Sequence, residues 1–249
     1  QLSLALEGKK ALETAVASNP AHDEANNRLL RYYLNAPAIA GGSLSKAREL
    51  AQRFSQVKPA NALVFQALIA ITGKDYAAAA AFLQRAIATD PHCLEAYGLL
   101  VDLHLGRKPK AWDAAAAYCR KALEMNPTDI EAYANLAGIL AEQGKLGELE
   151  IILAQAKQQC PDNLLAHFYA AFYLLQNDQL EKVEPYLRTY LSQDPEGFAP
   201  DRAEAHVQLA RLYEKQGRRP EAIKAYEQAL SLRPHFDFAQ KGLDRLRKG

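Results

Sequence analysis

The sequence has little of what metal-binding and redox proteins usually need. Its 249 residues include three cysteines, one methionine and one tryptophan. The cysteines, Cys93, Cys119 and Cys160, lie far apart, form no C-x-x-C pair and have no histidine at a metal-ligand spacing. The sequence therefore predicts no metal site and no bound cofactor, and it gives no support for a disulfide.

Long apolar runs and an excess of one charge are also missing. No stretch approaches the roughly 20 uncharged apolar residues of a membrane span. The 30 basic and 29 acidic residues are interspersed and leave a formal net charge of +1. Such a chain has no long-range field that would attract nucleic acid or an anionic membrane. We therefore expect no membrane insertion and no nucleic-acid partner.

Motifs for catalysis are absent as well. The sequence shows no phosphate-binding loop, no nucleophile elbow and no metal motif. Three of its six histidines, His22, His92 and His235, come just after prolines, which favours a role in turns. We therefore predict that the protein is not an enzyme.

The sequence does contain a regular series of prolines. Alanine and leucine dominate the composition, which favours helix wherever packing leaves a choice. Seven prolines end helix-like runs at intervals of 32 to 39 residues: Pro20, Pro59, Pro91, Pro127, Pro161, Pro195 and Pro234. A proline stops one helix and restricts the turn into the next. Recurrence near 34 residues predicts stacked helical hairpins.

One of these segments carries a family resemblance. The range 203–234 closely resembles the tetratricopeptide-repeat (TPR) consensus through Leu209, Ala210, Tyr213, Gly217, Ala222, Tyr226, Ala229 and Pro234. The ranges 130–161 and 164–195 match it at fewer positions. The resemblance implies an all-α fold in which about six hairpins form a right-handed superhelical solenoid.

The same reasoning predicts the domain organisation. We expect a single solenoid domain over 1–249, with a lone N-terminal helix over 1–18 and a capping helix over 235–248 that turns Phe236, Phe238, Leu243 and Leu246 inward. The register of the second hairpin stays open, because it is about one residue short before Gly73. The hairpins are approximately 22–59, 60–91, 94–127, 130–161, 164–195 and 203–234.

The resemblance also implies where a partner binds. In the family, the second, fifth, ninth and twelfth residues of each first helix line a concave groove. Small residues Ala134, Gly138 and Ala141 would form a floor beside an apolar wall, with Asn135 as an added hydrogen-bonding group. The predicted partner-binding residues are Asn27, Arg31, Ala134, Asn135, Gly138, Phe168, Phe172, Leu175 and Arg211.

Alternatives stay open at this stage. The aromatic residues Phe168, Tyr169 and Phe172 could instead pack against neighbouring helices or lie beneath the extension 196–202. Some TPR domains clamp the C-terminal carboxylate of chaperones with lysine and asparagine. Here the expected lysines are missing and glutamates stand at several equivalent positions, so chaperone docking is not expected.

The predicted function is a protein-interaction scaffold that binds a peptide or protein segment in the concave groove. The alternative is a subunit of a homo-oligomer, for example a dimer, that uses its groove or ends for self-association. The segment RYYLNAPAIAGGS resembles bacterial TPR proteins with an AP-x-IAGG-like loop, many of which look exported. This implies a periplasmic location, with the cytoplasm as the alternative; the chain starts with Gln1, as a processed or trimmed chain does.

Overall fold

The computed structural model describes residues 2–106, 110–195 and 199–248, and these ranges contain helices and no strand. This confirms the prediction of an all-α fold. The handedness of the solenoid and the number of repeats stay predictions. The α-helices are α1 (Leu2–Ser18), α2 (Asp23–Asn35), α3 (Leu44–Phe54), α4 (Pro59–Thr72), α5 (Tyr76–Thr89), α6 (Leu94–Leu105), α7 (Trp112–Met125), α8 (Ile130–Glu142), α9 (Leu146–Gln159), α10 (Leu165–Gln176), α11 (Val183–Tyr190), α12 (Arg202–Lys215), α13 (Arg219–Leu232) and α14 (Asp237–Lys248).

The helices fall into two compact units, Gln1–Lys108 and Pro109–Gly249. The first unit contains α1 to α6 and the second contains α7 to α14. The helices of the predicted hairpin 94–127, α6 and α7, belong to different units. A single domain over the whole chain therefore stays a prediction, and each unit is described by itself below.

In the first unit, each helix packs against the next one along the chain. The core between α1 and α4 includes Leu29, Leu30, Leu50, Phe54 and Phe65. The rings of Phe54 and Phe65 stack with centroids 5.0 Å apart, which joins α3 to α4. Packing between chain neighbours is what stacked helical hairpins require.

The break between α2 and α3 follows its local sequence. Gly41 has a φ of +90°, a conformation that favours glycine. A Cβ added to Gly42 would lie 1.8 Å from the carbonyl oxygen of Ala36, so the chain can pass there only as glycine. Ser43 then caps α3, because its hydroxyl accepts a hydrogen bond from the Lys46 amide at 3.3 Å. These are the residues that the sequence predicts to end one helix and start the next.

The proline period marks a buried position in the helix before each proline. Six of the seven residues that lie twelve positions before a proline have 0% exposed surface: Ala47, Ala79, Ala115, Leu149, Val183 and Ala222. The seventh is Gly8 on α1, where an added Cβ would meet nothing within 4 Å. The repeat in the sequence therefore corresponds to a repeated buried helix face, and α1 leaves that face open.

In the second unit, α8 packs against α10, α12 against α13, and α13 against α14. Helix α14 approaches closely at Gly242, where an added Cβ would lie 2.4 Å from Cζ of Tyr226. It packs through Ala239, Gly242 and Leu243, whereas Phe238 is 53% exposed. The prediction that Phe238 faces the interior is therefore wrong, because this residue lies beside the buried stripe of α14. Among the described residues, no helix is long and apolar enough to cross a bilayer.

Candidate functional site

A pocket of about 420 Å³ lies in the second unit, and we call it the aromatic pocket. Helix α10 supplies one wall and α12 the other, while the start of α14 closes one side. Its lining is mainly aromatic and apolar, with three polar side chains on α12. The lining residues are Phe168, Tyr169, Phe172, Pro200, Glu204, Val207, Gln208, Arg211, Phe236 and Phe238.

The base of the aromatic pocket is a packed group of rings. The Phe168 ring lies 5.1 Å from that of Tyr190 and 6.4 Å from that of Phe172, measured between centroids. Phe168 is 5% exposed, whereas Phe172 is half-buried. The packing that the sequence left open as an alternative thus applies to Phe168, and Phe172 keeps part of its ring accessible.

Pro200 is held at the rim by contacts on both sides of it. The hydroxyl of Tyr190 donates a hydrogen bond to the carbonyl oxygen of Pro200. The next residue, Asp201, caps α12 by accepting from the Glu204 amide at 2.9 Å and also receives the guanidinium of Arg233. Residues 196–198, part of the predicted extension 196–202, lie outside the described residues. The described end of that extension forms part of the wall.

Burial and these contacts shift the pKa values of Tyr190 and Asp201. Burial raises the pKa of Tyr190 above its ordinary value, and the carboxylates of Glu204 and Asp201 add to the rise. Burial alone would raise the pKa of Asp201, but hydrogen bonds from Arg233 and the Glu204 amide outweigh it and lower that pKa. At neutral pH the phenol is therefore neutral and the carboxylate charged, which preserves both contacts.

Arg211 brings a positive charge to the aromatic pocket. It is half-buried, and its Nη1 donates to Oε1 of Gln208 at 3.0 Å. Within the described part of the second unit it forms no ion pair with a carboxylate. Glu204, the acid in the lining, lies 3.2 Å from the guanidinium of Arg233.

A second cavity of about 400 Å³ lies next to the aromatic pocket, and we call it the amide groove. The two cavities share the lining residues Tyr169 and Pro200. Its lining residues are Ile130, Glu131, Ala134, Asn135, Asn163, Leu165, Tyr169, Ala199 and Pro200. The amides of Asn135 and Asn163 offer donors and acceptors along it.

The structure therefore brings five predicted site residues to these two neighbouring cavities, with Phe168, Phe172 and Arg211 in the aromatic pocket and Ala134 and Asn135 in the amide groove.

Two other predicted residues lie beneath the surface. A Cβ added to Gly138 would lie 2.7 Å from Cε2 of Tyr173, so that ring covers the glycine. Leu175 has 0% exposed surface, as does Ala141. The open floor of small residues is therefore wrong at Gly138 and Ala141, and Leu175 belongs to the core.

The remaining predicted residues, Asn27 and Arg31, lie in the first unit and bind each other. Arg31 Nε donates to Oδ1 of Asn27 at 2.7 Å, and Asn27 Nδ2 donates to both carboxylate oxygens of Glu95 at 3.2 Å. Arg31 also forms an ion pair with Glu95 at 3.3 Å. These polar groups satisfy one another within the unit.

Phe236, Phe238 and Gln208 are the pocket residues that sequence reasoning missed. A signal was available for Phe238, because Ala239, Gly242 and Leu243 form the buried stripe at helical spacing and leave Phe238 beside it. No comparable signal marked Gln208. Across the described residues, no group of three or more His, Cys, Asp or Glu side chains is arranged to hold a metal ion.

Family models described as tetratricopeptide repeat match this chain over most of its length. They match residues 203–236, 118–150, and the overlapping windows 38–92 and 66–130. A comparison with curated proteins found no significant match.

Solved structures with a similar fold include several TPR proteins. Yeast Tom70 superposes with a TM-score of 0.65 at 18% identity, covering 99% of this chain and 52% of that chain, so the present chain spans about half its length. The C-terminal part of a TPR protein from Cytophaga hutchinsonii gives 0.58 at 16% identity, covering 96% and 94%. PilF of Pseudomonas aeruginosa gives 0.54 at 16% identity, covering 88% and 96%. The likeness to these structures shows the fold, and the family models show that the chain belongs to the tetratricopeptide-repeat family.

Proposed function

We propose that the protein binds a peptide segment of another protein along the amide groove, with one large apolar side chain of that segment in the aromatic pocket. The observation that carries the proposal is the pocket itself. It has aromatic walls and a few polar side chains that converge on it, which is the usual composition of a binding site. Phe238, 53% exposed at its edge, has no other described role.

Contacts within the second unit hold several residues of the aromatic pocket in place. Phe168 is held against Tyr190, and Pro200 is held by its hydrogen bond from the same tyrosine. Few groups would then need to be ordered on binding, which reduces the entropic cost. Burial of one large apolar side chain contributes roughly 1.5 to 3 kcal/mol, and a favourable ring pair adds about 1 kcal/mol.

The amide groove suits a peptide backbone. Asn135 and Asn163 both line this cavity. The Asn135 amide can donate and accept hydrogen bonds, and Asn163, whose Oδ1 accepts from the Leu165 amide at 3.1 Å, can donate through Nδ2. A segment anchored in the aromatic pocket would pass over Tyr169, the residue that both cavities share. Main-chain hydrogen bonds in the amide groove would then add to the affinity of the anchor.

The proposed location is the bacterial periplasm, on the resemblance of the loop at 36–42 to that of exported TPR proteins. Cell fractionation of the source organism with an antibody against the protein tests it. Recovery with the cytoplasmic fraction would overturn this part of the proposal.

Selection from a displayed library of random peptides tests the function without assuming which protein is the partner. The wild type serves as bait, and Val207→Asp, which puts a charge in the aromatic pocket, serves for counter-selection. We expect enriched peptides to share one large apolar residue. Fluorescence polarisation should then show binding weakened about tenfold or more by Phe172→Ala or Phe238→Ala, as expected for loss of one buried contact.

Ile151→Ala is the matched control, because Ile151 is exposed to a similar degree (59%) but lies on α9 outside both cavities. The Ile151→Ala variant should bind the selected peptides with the same affinity as the wild type. Peptides whose binding is indifferent to Phe172 and Phe238 would contradict the proposal. A dimeric mass that Phe238→Ala converts to a monomer would instead support self-association through this face.

A further inference from the structure

We propose that the segment bound in the aromatic pocket carries an acidic side chain beside its apolar anchor, and that Arg211 binds this carboxylate. The inference rests on the proposed function and adds the chemistry of the ligand. The expected ligand is a peptide with an apolar and an acidic residue side by side, and not a basic peptide.

The first observation concerns the partners of the other arginines in the second unit. Seven of those that the structure describes form ion pairs with a carboxylate of the same unit: Arg120, Arg188, Arg202, Arg218, Arg233, Arg245 and Arg247. An eighth, Arg219, donates to the carbonyl oxygen of Leu246. Arg211 bonds only to the neutral amide of Gln208 in the described residues. Arg211 and Arg219 are thus the two described arginines of this unit without a carboxylate partner, and of the two only Arg211 lines the aromatic pocket.

The second observation concerns the acids nearest along α12. Glu204 lies in the pocket lining but is paired with Arg233 at 3.2 Å. Glu214 is paired with Arg245 at 2.6 Å and accepts from the Tyr226 hydroxyl. Arg233 binds Asp201 as well as Glu204, and Arg245 binds Glu214, so neither of these acids of α12 forms an ion pair with Arg211 in the described residues.

A guanidinium in this position is suited to a carboxylate. It has five N–H donors in a planar fork, and the bond to Gln208 uses one of them. The remaining donors can bind a carboxylate through two parallel hydrogen bonds, which are stronger than neutral ones. Because the surroundings are aromatic and partly exclude water, the attraction is screened less there than at an open surface.

We place the carboxylate on a side chain within the segment, because the aromatic pocket and the amide groove adjoin at Tyr169 and Pro200. A chain can therefore run past the anchor. A terminal carboxylate at Arg211 would need the chain to end there. Glu131 in the amide groove disfavours a second acid at that end of the site.

The test uses the library selection on three proteins: wild type, Arg211→Gln and Arg211→Glu. We expect wild-type peptides to carry Asp or Glu next to the apolar anchor, and Arg211→Glu to select Lys or Arg there instead. For one wild-type peptide made with an amidated C-terminus, Arg211→Gln should weaken binding about tenfold or more. The same peptide with its acid changed to the amide should bind wild type and Arg211→Gln equally. Arg120→Gln, an ion-paired arginine outside both cavities, is the matched control and should leave affinity unchanged.

The outcomes separate this inference from the proposed function. Peptides that keep the apolar anchor, carry no acid and ignore Arg211→Gln would overturn the inference and leave the proposed function intact. Acid dependence found only with a free C-terminus and abolished by amidation would overturn the side-chain assignment. The absence of any peptide that depends on Phe172 or Phe238 would overturn the proposed function itself.

Discussion

The predicted repeat register gives Arg31 in the first unit and Arg211 in the second the same position of a first helix, the ninth of the repeat. Arg31 is bound to Asn27 at 2.7 Å and to Glu95 at 3.3 Å. Arg211 is bound to Gln208 at 3.0 Å and has no carboxylate partner among the described residues. One repeat position can thus be neutralised by its own unit or left available, and neighbours far away in sequence decide which.

The two arginines also differ in their surroundings. Arg31 lies among polar groups, and its side chain is 54% exposed. Arg211 shares its pocket with Phe172, Val207 and Phe236. A solvated polar face supplies little binding free energy, whereas an apolar pocket with a few charged or polar groups supplies both affinity and selectivity. The second unit therefore carries the candidate site.

The largest effect on the aromatic pocket is expected from Gly242→Ala, which disturbs the packing of α14. The new Cβ would lie 2.4 Å from Cζ of Tyr226, whose ring is 1% exposed and has no room to retreat. We expect the free energy of unfolding to fall by about 1 to 3 kcal/mol, as in other overpacked cores. Peptide affinity should fall as well, because α14 carries Phe238. Urea denaturation and fluorescence polarisation measure the two effects.

Gly147→Ala is the control for that change, because an added Cβ there meets nothing within 4 Å in α9. It should stabilise the helix by up to about 1 kcal/mol. Equal stability of Gly242→Ala and wild type would show that α14 does not pack as described.

Low pH should reduce the stability of the second unit, which contains the aromatic pocket. His167 on α10 is 7% exposed, and its Nδ1 has no hydrogen-bond partner in the described residues. Burial lowers its pKa to about 4, with a further lowering from Lys157 and a smaller opposing effect from Glu150. The unfolded chain then binds the proton more tightly, so stability falls as the pH drops from about 6.5 towards 4.

We expect a loss of about 1 to 2 kcal/mol between pH 7 and pH 5 from this group. Urea denaturation at both pH values, for the wild type and for His167→Gln, measures it. The variant should lose less stability than the wild type over that interval. An identical loss in both proteins would assign the acid sensitivity to other groups.

Gln208→Glu turns the Arg211 site into a copy of the Arg31 site. The new carboxylate would stand where the Gln208 oxygen accepts from Arg211 at 3.0 Å. The internal ion pair then competes with the ligand, and we expect affinity for the selected acidic peptide to fall about tenfold. Gln155→Glu, on the exposed surface of α9, adds the same charge and should change little. Unchanged affinity in Gln208→Glu would contradict the role given to Arg211.

The smallest effect is expected from the reverse change, Glu95→Gln, which frees Arg31. The side chains are 54% and 33% exposed, so the pair contributes less than about 1 kcal/mol to stability. The first unit should not gain a peptide site, because no ring cluster adjoins Arg31 in its described contacts. Calorimetric titration with the selected peptide should still give one site; a second site would show that a free arginine alone is enough.

Much of the fold could be predicted because it depends on local chemistry. Proline recurrence located the helical hairpins, and the glycines before Ser43 located a turn that only glycine allows. The family resemblance predicted that Phe168, Phe172 and Arg211 line the groove, and in the structure all three line the aromatic pocket. It was wrong at Gly138, since the ring that covers this glycine belongs to Tyr173 on another helix.

The sequence by itself determined the helices, their pairing along the chain and the composition of the groove face, because each depends on residues within one turn or one hairpin. Only the tertiary structure decided which residues of that face stay accessible and which charges stay unpaired. Phe238 is exposed because α14 packs on Tyr226 through Gly242. Arg31 is neutralised by Glu95, 64 residues away, while the acids beside Arg211 are taken by Arg233 and Arg245. Such pairings depend on distances in space that no repeat pattern encodes.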